Sequence, residues 1–313
     1  MISTLSSEIE LLDSQVHKNM AIIPIKTPKN YKFDILTLKK GFELGLAEVK
    51  ECKTSTVNTL IVENKSSVPL LLVDGEEIVG GDQNRIVNAS ILIPPQNEMK
   101  IPVNCTEHGR WGYKHKFVHS EYIADARTRR LKAHARHDGR NVQQAVWNSI
   151  GNLEADHSFS SPTQAMTESY ENKKADLNEF IKAFEIIDGQ NGVLIIVDGE
   201  IKGFEIFFNS EIYREYHEKI LKSYLINTEV KDSPFVIDSE AARELIINVV
   251  DSEFSEKPNI GLEKSYELKN DDGIGEIYTY EDEMIHFSYF ANDDSDNIEK
   301  ADNAQTADIN IQT

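Results

Sequence analysis

The chain has little cysteine, no long apolar run and a shortage of positive charge, and each shortage removes a class of function. Two cysteines in 313 residues, Cys52 and Cys105, cannot make a disulfide framework and fit a reducing compartment. No stretch of about 18 apolar residues occurs, so no membrane-spanning helix is expected. The opening MISTLSSEIELLDS lacks the basic stretch and apolar run of a secretory signal, and a cytoplasmic location is expected. Lys and Arg number 33 against 53 Asp and Glu, a net charge of −20. Such a chain repels a phosphate backbone, so nucleic acid is not an expected partner.

Hydrophobic residues make up 40% of the sequence, enough for a sizeable core. The length would allow two domains. No linker rich in Gly, Ser or Pro separates them, so residues 1–292 read as one α+β domain with a sub-division near 150–165. Residues 293–313 read as an acidic, disordered tail.

The patterning predicts an antiparallel β-rich N-terminal half, built as a sandwich or a curled sheet. A helical middle and a C-terminal hairpin-plus-helix section follow. Residues 1–20 read as a short helix and lead-in, and Ala21 to Ile25 as a strand. Further strands are expected over Thr56 to Val62, Val68 to Val73, Arg85 to Ile93 and Lys100 to Cys105. Helix is expected from His119 to Gln144 with a break at Gly139, then over 141–150 and 166–187, with a loop at 153–163. Gly192 to Phe208, folded at Asp198-Gly199, is the clearest hairpin. Helices over 211–225 and 239–250 and three closing strands complete the reading.

Two dense polar strings follow apolar strands: GEEIVGGDQNR, Gly75 to Arg85, and CTEHGRW, Cys105 to Trp111. Loops at strand ends are where function concentrates. Gly75, Gly80 and Gly81 permit a close backbone approach, leaving room for a ligand beside Glu76, Glu77, Gln83 and Arg85. Glu107, Arg110 and Trp111 form a set that can grip a nucleotide, the guanidinium on phosphate and the indole by stacking. The competing readings are a hairpin turn carrying surface charge, and an internal Arg–Glu pair under a tryptophan.

Charge is segregated here. Nine Lys or Arg stand against four Asp or Glu from Thr106 to Gln144. On a helix Arg127, Arg130, His134 and His137 share an arc of about 80°, with Arg129, Lys132 and Arg136 on the other side. That basic island suits an anion, or an acidic surface elsewhere in the fold or in an enzyme partner. Alternation places Cys105 on the inward face with Val103, a packing role set against that of a nucleophile. His108, His115, His119, His134 and His137 lie close in sequence, but no zinc-binding spacing connects them, and no metal site is assigned. No P-loop and no GxGxxG is present, so no cofactor is identified.

The strings GEEIVGGDQNR and IPVNCTEHGRW resemble the family of ARG and rhodanese-phosphatase-superfamily-associated proteins. QQAVWNSI (143–150), SPTQAM (161–166), NGVLIIVDGEIKGFEIF and SEIYREYHEKILKSYLINT extend the resemblance from about Ile22 to beyond Thr228, and the last eighty residues match least. The resemblance implies a link to NAD and ADP-ribose metabolism. On it, a nucleotide-like or ADP-ribose-related phosphate compound is the expected small-molecule ligand. Glu76 or Glu107 would act as general acid/base, Arg85 and Arg110 would hold phosphate, and Gln83 would orient the substrate for hydrolysis or glycosyl transfer. The alternatives are a binding or sensing module without turnover and a structural partner of an associated enzyme.

Overall fold

The computed structural model describes residues 8–28, 33–52, 57–110, 112–233 and 235–293. The chain enters through β1 (Glu10–Leu11), β2 (Gln15–His17) and β3 (Met20–Lys26). Strand replaces the expected helical lead-in from Glu10 onward, because β1 and β2 each pair antiparallel with β3; residues 1–7 lie outside the described residues.

Next come β4 (Leu36–Thr37), α1 (Leu38–Glu43), β5 (Ala47–Glu51), β6 (Thr59–Asn64), β7 (Leu70–Leu72), β8 (Glu76–Val79), β9 (Arg85–Val87), β10 (Ile91–Ile93), β11 (Asn97–Cys105) and β12 (Val118–Ile123). Six of these strands form a sheet in the order β12-β8-β9-β11-β6-β5, and β10-β7-β4 form a second. The nine-residue β11 pairs with β6 through Asn97–Pro102 and with β9 through Val103–Cys105. The sheet therefore turns a corner in mid-strand and curls over a core that includes Leu60, Val62, Leu72, Ile91 and Val103. This is the antiparallel curled sheet expected of the N-terminal half.

Two expected elements are divided differently. The run Arg85 to Ile93 is two strands, because Ser90 leaves the ladder to bond Asp74 N and the His286 ring. The helix expected from His119 begins only after Asp125, whose carboxylate caps it by accepting from Thr128 N at 3.0 Å. Residues Val118–Ile123 instead pair with β8. The helical middle comprises α2 (Ala126–His137), α3 (Val142–Asp156) and α4 (Met166–Ile181). Gly139, at φ 67°, separates α2 from α3 as expected. α3 runs past the expected loop at 153, since Leu153 is fully buried and keeps the last turn docked.

The C-terminal section holds β13 (Gly192–Val197), β14 (Glu200–Phe207), α5 (Ser210–Leu225), α6 (Ser239–Val250), β15 (Ser255–Lys257), β16 (Lys264–Lys269), β17 (Gly273–Tyr280) and β18 (Glu283–Ala291). Asp198 and Gly199 both have positive φ, 52° and 83°, the two-residue loop geometry that matches strand twist. The nine-stranded sheet runs β1-β3-β13-β14-β18-β17-β16-β15, with β2 also on β3, so the N-terminal strands complete a C-terminal sheet.

That sheet is covered on both faces, which explains why β3 and β13 are apolar at nearly every position. Met20, Ile22, Val193 and Ile195 pack with Ile212, Tyr216 and Ile220 of α5. The alternate residues Ala21, Ile23, Leu194 and Ile196 pack with Ala242, Ile246, Val249 and Val250 of α6. Period two in the strands and spacings of three and four in the helices produce these two faces. Truncating one such residue, Ile246→Ala for example, would remove about 2–5 kcal/mol.

Candidate functional site

The two polar strings do come together, through hydrogen bonds between their loops. Thr106 N donates to Asn84 O at 3.0 Å, and Gln83 Nε2 donates to Glu107 O at 2.9 Å. Arg110 closes the loop over both strings. Its Nε and Nη2 lie 2.8 and 2.6 Å from Glu107 Oε2. Nη1 donates to the carbonyls of Gly81 and Gly112 at 2.8 Å, and Nη2 also reaches Gly80 O and Asn84 Oδ1. Thr163 Oγ1 donates to Glu107 Oε1 at 3.1 Å. Burial opposes ionisation of Glu107, but the Arg110 bond and charge outweigh it and hold the carboxyl below its usual range.

Every nitrogen of the Arg110 guanidinium is thus engaged by the protein, which makes the Glu107–Arg110 pair a loop clasp. Arg85 turns to Val57 O at 3.1 Å and lies 3.9 Å from Glu51. Trp111 lies outside the described residues. Among the described residues, Glu76, Glu77, Gln83, Arg85, Glu107 and Arg110 line none of the four described cavities.

Neighbours on a strand face opposite ways, and this separates the two adjacent acids of β8. Glu77 accepts from Thr167 Oγ1, Ser120 Oγ and Thr106 Oγ1 at 2.8, 2.8 and 3.2 Å. Complete burial pushes its pKa up to about 7 against those three hydroxyl bonds. Glu76 turns the other way. Its Oε2 accepts from Tyr216 OH at 3.0 Å and Val73 N at 3.1 Å. Its Oε1 has no hydrogen bond and lies 3.8 Å from Lys219 Nζ. Burial raises the Glu76 pKa against the nearby Lys219 charge.

Lys219 connects this buried acid to open space. It projects from α5, and its Nζ donates to Ser120 O at 2.8 Å and to His119 Nε2 at 2.6 Å. His119 is held down at about 3 by burial and by the Lys219 charge. It is therefore neutral, with its proton on Nδ1 so that Nε2 can accept. Burial also lowers the Lys219 pKa, against the pull of Glu76.

Lys219 lines a cavity of about 860 Å³ reached from α1, β12, α4 and α5. Six basic side chains line it (Lys39, Lys174, Lys182, Arg214, Lys219 and Lys222), against three acids, Glu121, Glu215 and Glu218. Lys174, Lys182 and Lys222 are paired with Glu171, Glu179 and Glu218. No carboxylate lies within 4 Å of the charged groups of Lys39 or Arg214 among the described residues. In the larger cavity, of about 1010 Å³, Lys18, Lys173 and Lys182 face four acids. Arg127 and Arg130 line a third, of about 250 Å³, where with Lys202 they meet Asp198, Glu229 and Asp293. Arg127 also pairs with Asp156 at 2.5 Å. Only the first of these three holds a surplus of positive charge, so it is the one that suits an anion.

Sequence reasoning missed this cavity because its bases come from three helices far apart in the chain, Lys39 from α1, Lys174 and Lys182 from α4 and its C-cap, and three from α5. The other reading of the basic island, an acidic surface elsewhere in the fold, describes the buried charge network beneath α2. Arg129 is fully buried and grips both oxygens of Glu205, at 2.6 and 2.9 Å. Its Nε lies 3.4 Å from Asp74, Lys132 pairs with Asp74, and His286 stands 3.3 Å from Glu205. The stripe Arg129, Lys132, Arg136 was the available signal, and it covers acids within the fold. Gly75, at φ 79°, lets the chain pass beneath Arg129, since a Cβ there would lie 2.8 Å from Arg129 Cδ.

The fold and site define an α+β protein with a curled antiparallel sheet, a second antiparallel sheet packed on both faces and a basic cavity. The family model for the ARG and Rhodanese-Phosphatase-superfamily-associated Protein domain matches residues 8–290, and the chain belongs to that family. No curated protein and no solved structure matches it.

Proposed function

We propose that the chain binds a phosphate-bearing, nucleotide-like compound of the ADP-ribose type in the Lys219 cavity. The observation that carries this reading is the excess of six basic over three acidic side chains around about 860 Å³, within the usual range of small-molecule sites. Arg214 and Lys39 at the rim would meet phosphate first, and Lys219 supplies the cation at depth. The family's named association with ARG proteins favours an ADP-ribose-type ligand over a simple inorganic anion. In this reading Gln83, Arg85, Glu107 and Arg110 hold the β8–β9 turn that places Glu76 behind Lys219. Arg127 and Arg130 stand at a separate, charge-balanced cavity.

A second reading adds hydrolysis of the bound compound, and the Glu76 geometry favours it. Glu76 Oε1 is buried without a hydrogen bond, 3.8 Å from Lys219 Nζ; it does not line the cavity and would act through Lys219, by tuning the charge of that amine. Glu107, held as a carboxylate by Arg110, is the less suited of the two acids.

Isothermal titration with ADP-ribose tests binding, and mass spectrometry of the same mixture tests turnover. Saturable binding weakened by Arg214→Ala supports the site. Binding without product leaves a sensing module, and product formation abolished by Glu76→Gln establishes the enzyme. No binding of ADP-ribose, inorganic phosphate or AMP by the folded protein would overturn the proposal.

A further inference from the structure

A fourth cavity, of about 350 Å³, lies where the loop after β11 meets α3. His108, Gln144, Trp147, Asn148 and Gln164 line it, together with Ile150 and Gly151. No Lys, Arg, Asp or Glu is among them, so nothing there calls for a charged ligand. The His108 and Trp147 rings meet edge to face at 4.5 Å, with 67° between their planes. The Trp147 indole Nε1 is buried and has no hydrogen-bond partner. A buried donor left alone is destabilising by about 1–3 kcal/mol unless something accepts from it.

The amides around these rings keep hydrogen-bonding groups that the fold does not use. Gln144 Nε2 donates to Asn148 Oδ1 at 2.7 Å, which leaves Gln144 Oε1 to accept and Asn148 Nδ2 to donate. His108 Nδ1 lies 3.0 Å from Gln164 Oε1, which leaves Gln164 Nε2 to donate. One acceptor, Gln144 Oε1, and two donors, Asn148 Nδ2 and Gln164 Nε2, are left unused around the aromatic rings. A purine presents the complement, with an exocyclic amino donor next to ring-nitrogen acceptors, and amide side chains pair with that edge. The volume is at the low end of the ~300–1,000 Å³ range of small-ligand pockets, which suits one ring system.

We infer that this pocket is a purine-base site, with the base against the Trp147 ring and its edge read by Gln144, Asn148 and Gln164. It is separate from the basic cavity and does not depend on the function proposed for it. The chain has two tryptophans, so Trp111→Phe makes Trp147 the sole indole reporter. Titrating that variant with adenosine or adenine quenches its fluorescence saturably, whereas ribose 5-phosphate does not. Asn148→Leu, at an exposed helix position, weakens the quench about tenfold without changing the melting temperature.

If Trp111→Phe does not fold, 5-fluorotryptophan in the wild-type chain gives the same readout. One 19F resonance, absent from Trp147→Phe, shifts with adenosine. Absence of any response to millimolar adenine and adenosine overturns the inference, as does a response that Asn148→Leu leaves intact. Arg214→Ala keeps the quench whatever the outcome at the basic cavity, so the two failures are told apart.

Discussion

Replacing Arg129 with Met should be among the most damaging single changes in the chain. The guanidinium and the Glu205 carboxylate it grips are both fully buried. Burial pushes Glu205 up, but the Arg129 charge, the His286 bond and the Arg129 bond hold it at about 2, from an ordinary 4.5. At about 1.4 kcal/mol per pKa unit, that difference is worth about 3 kcal/mol at neutral pH, and no solvent screens it. Removing one partner of a buried pair is generally worth about 3–5 kcal/mol, so two routes agree. A loss of that size lowers the melting temperature by about 5–8 °C for a chain this long.

The sign with pH follows from the depressed folded value. Glu205 contributes stability that is complete above about pH 4.5 and fades as pH falls towards 2. The gap between wild type and Arg129→Met, read by urea denaturation, should therefore be full at pH 7 and narrow below pH 4.5. Adding Glu205→Leu to Arg129→Met should recover much of the loss, since an apolar pair of similar volume replaces a stranded charge. A single-variant loss below about 1 kcal/mol at pH 7, or a gap that does not change with pH, would refute this account of the network.

Glu77 should behave in the opposite sense. Its folded value of about 7 lies above the unfolded value, so its contribution holds below about pH 4.5 and is lost as pH rises through 7; Glu77→Gln should flatten that slope in a pH series of melting curves. Gly81→Ala combines φ 54° with a Cβ 2.2 Å from Phe117 Cζ, and a melting temperature within 2 °C of wild type, about 1 kcal/mol, would contradict the packing around the β8–β9 turn. Glu107→Gln keeps the shape of the clasp but removes its charge, and should expose the loop after β11 to limited proteolysis near Arg110; an unchanged digestion rate would count against a clasp.

The elements legible in the sequence were those whose signals are local. Asp198-Gly199 announces the β13–β14 hairpin, and Asn209 announces α5 by accepting from Ile212 N. β8 was read as a loop because Glu76 and Glu77 look like surface residues, yet both are fully buried. Their partners, Lys219, Tyr216 and Thr167, come from α4 and α5, about 90 to 143 residues further along the chain, and no local pattern displays such pairing. β12 was read as helix because the basic run after it dominates the window. The Asp125 cap marks the true boundary three residues before Thr128. The two polar strings meet, but sequence could not show that Arg110 is consumed by Glu107 and backbone carbonyls instead of facing a ligand. Nor could it show that the basic cavity lies on the far face of the same strand, behind Glu76.

The most direct test of the ligand site is calorimetric titration of ADP-ribose into the wild-type chain and into a Lys39→Ala, Arg214→Ala double variant. Both positions carry cations with no carboxylate within 4 Å among the described residues, so the fold should survive their loss. Affinity should fall about tenfold or more, the worth of one charge-assisted contact. An equal affinity in the two proteins, or no heat of binding in either, would contradict a phosphate ligand seated against Lys219.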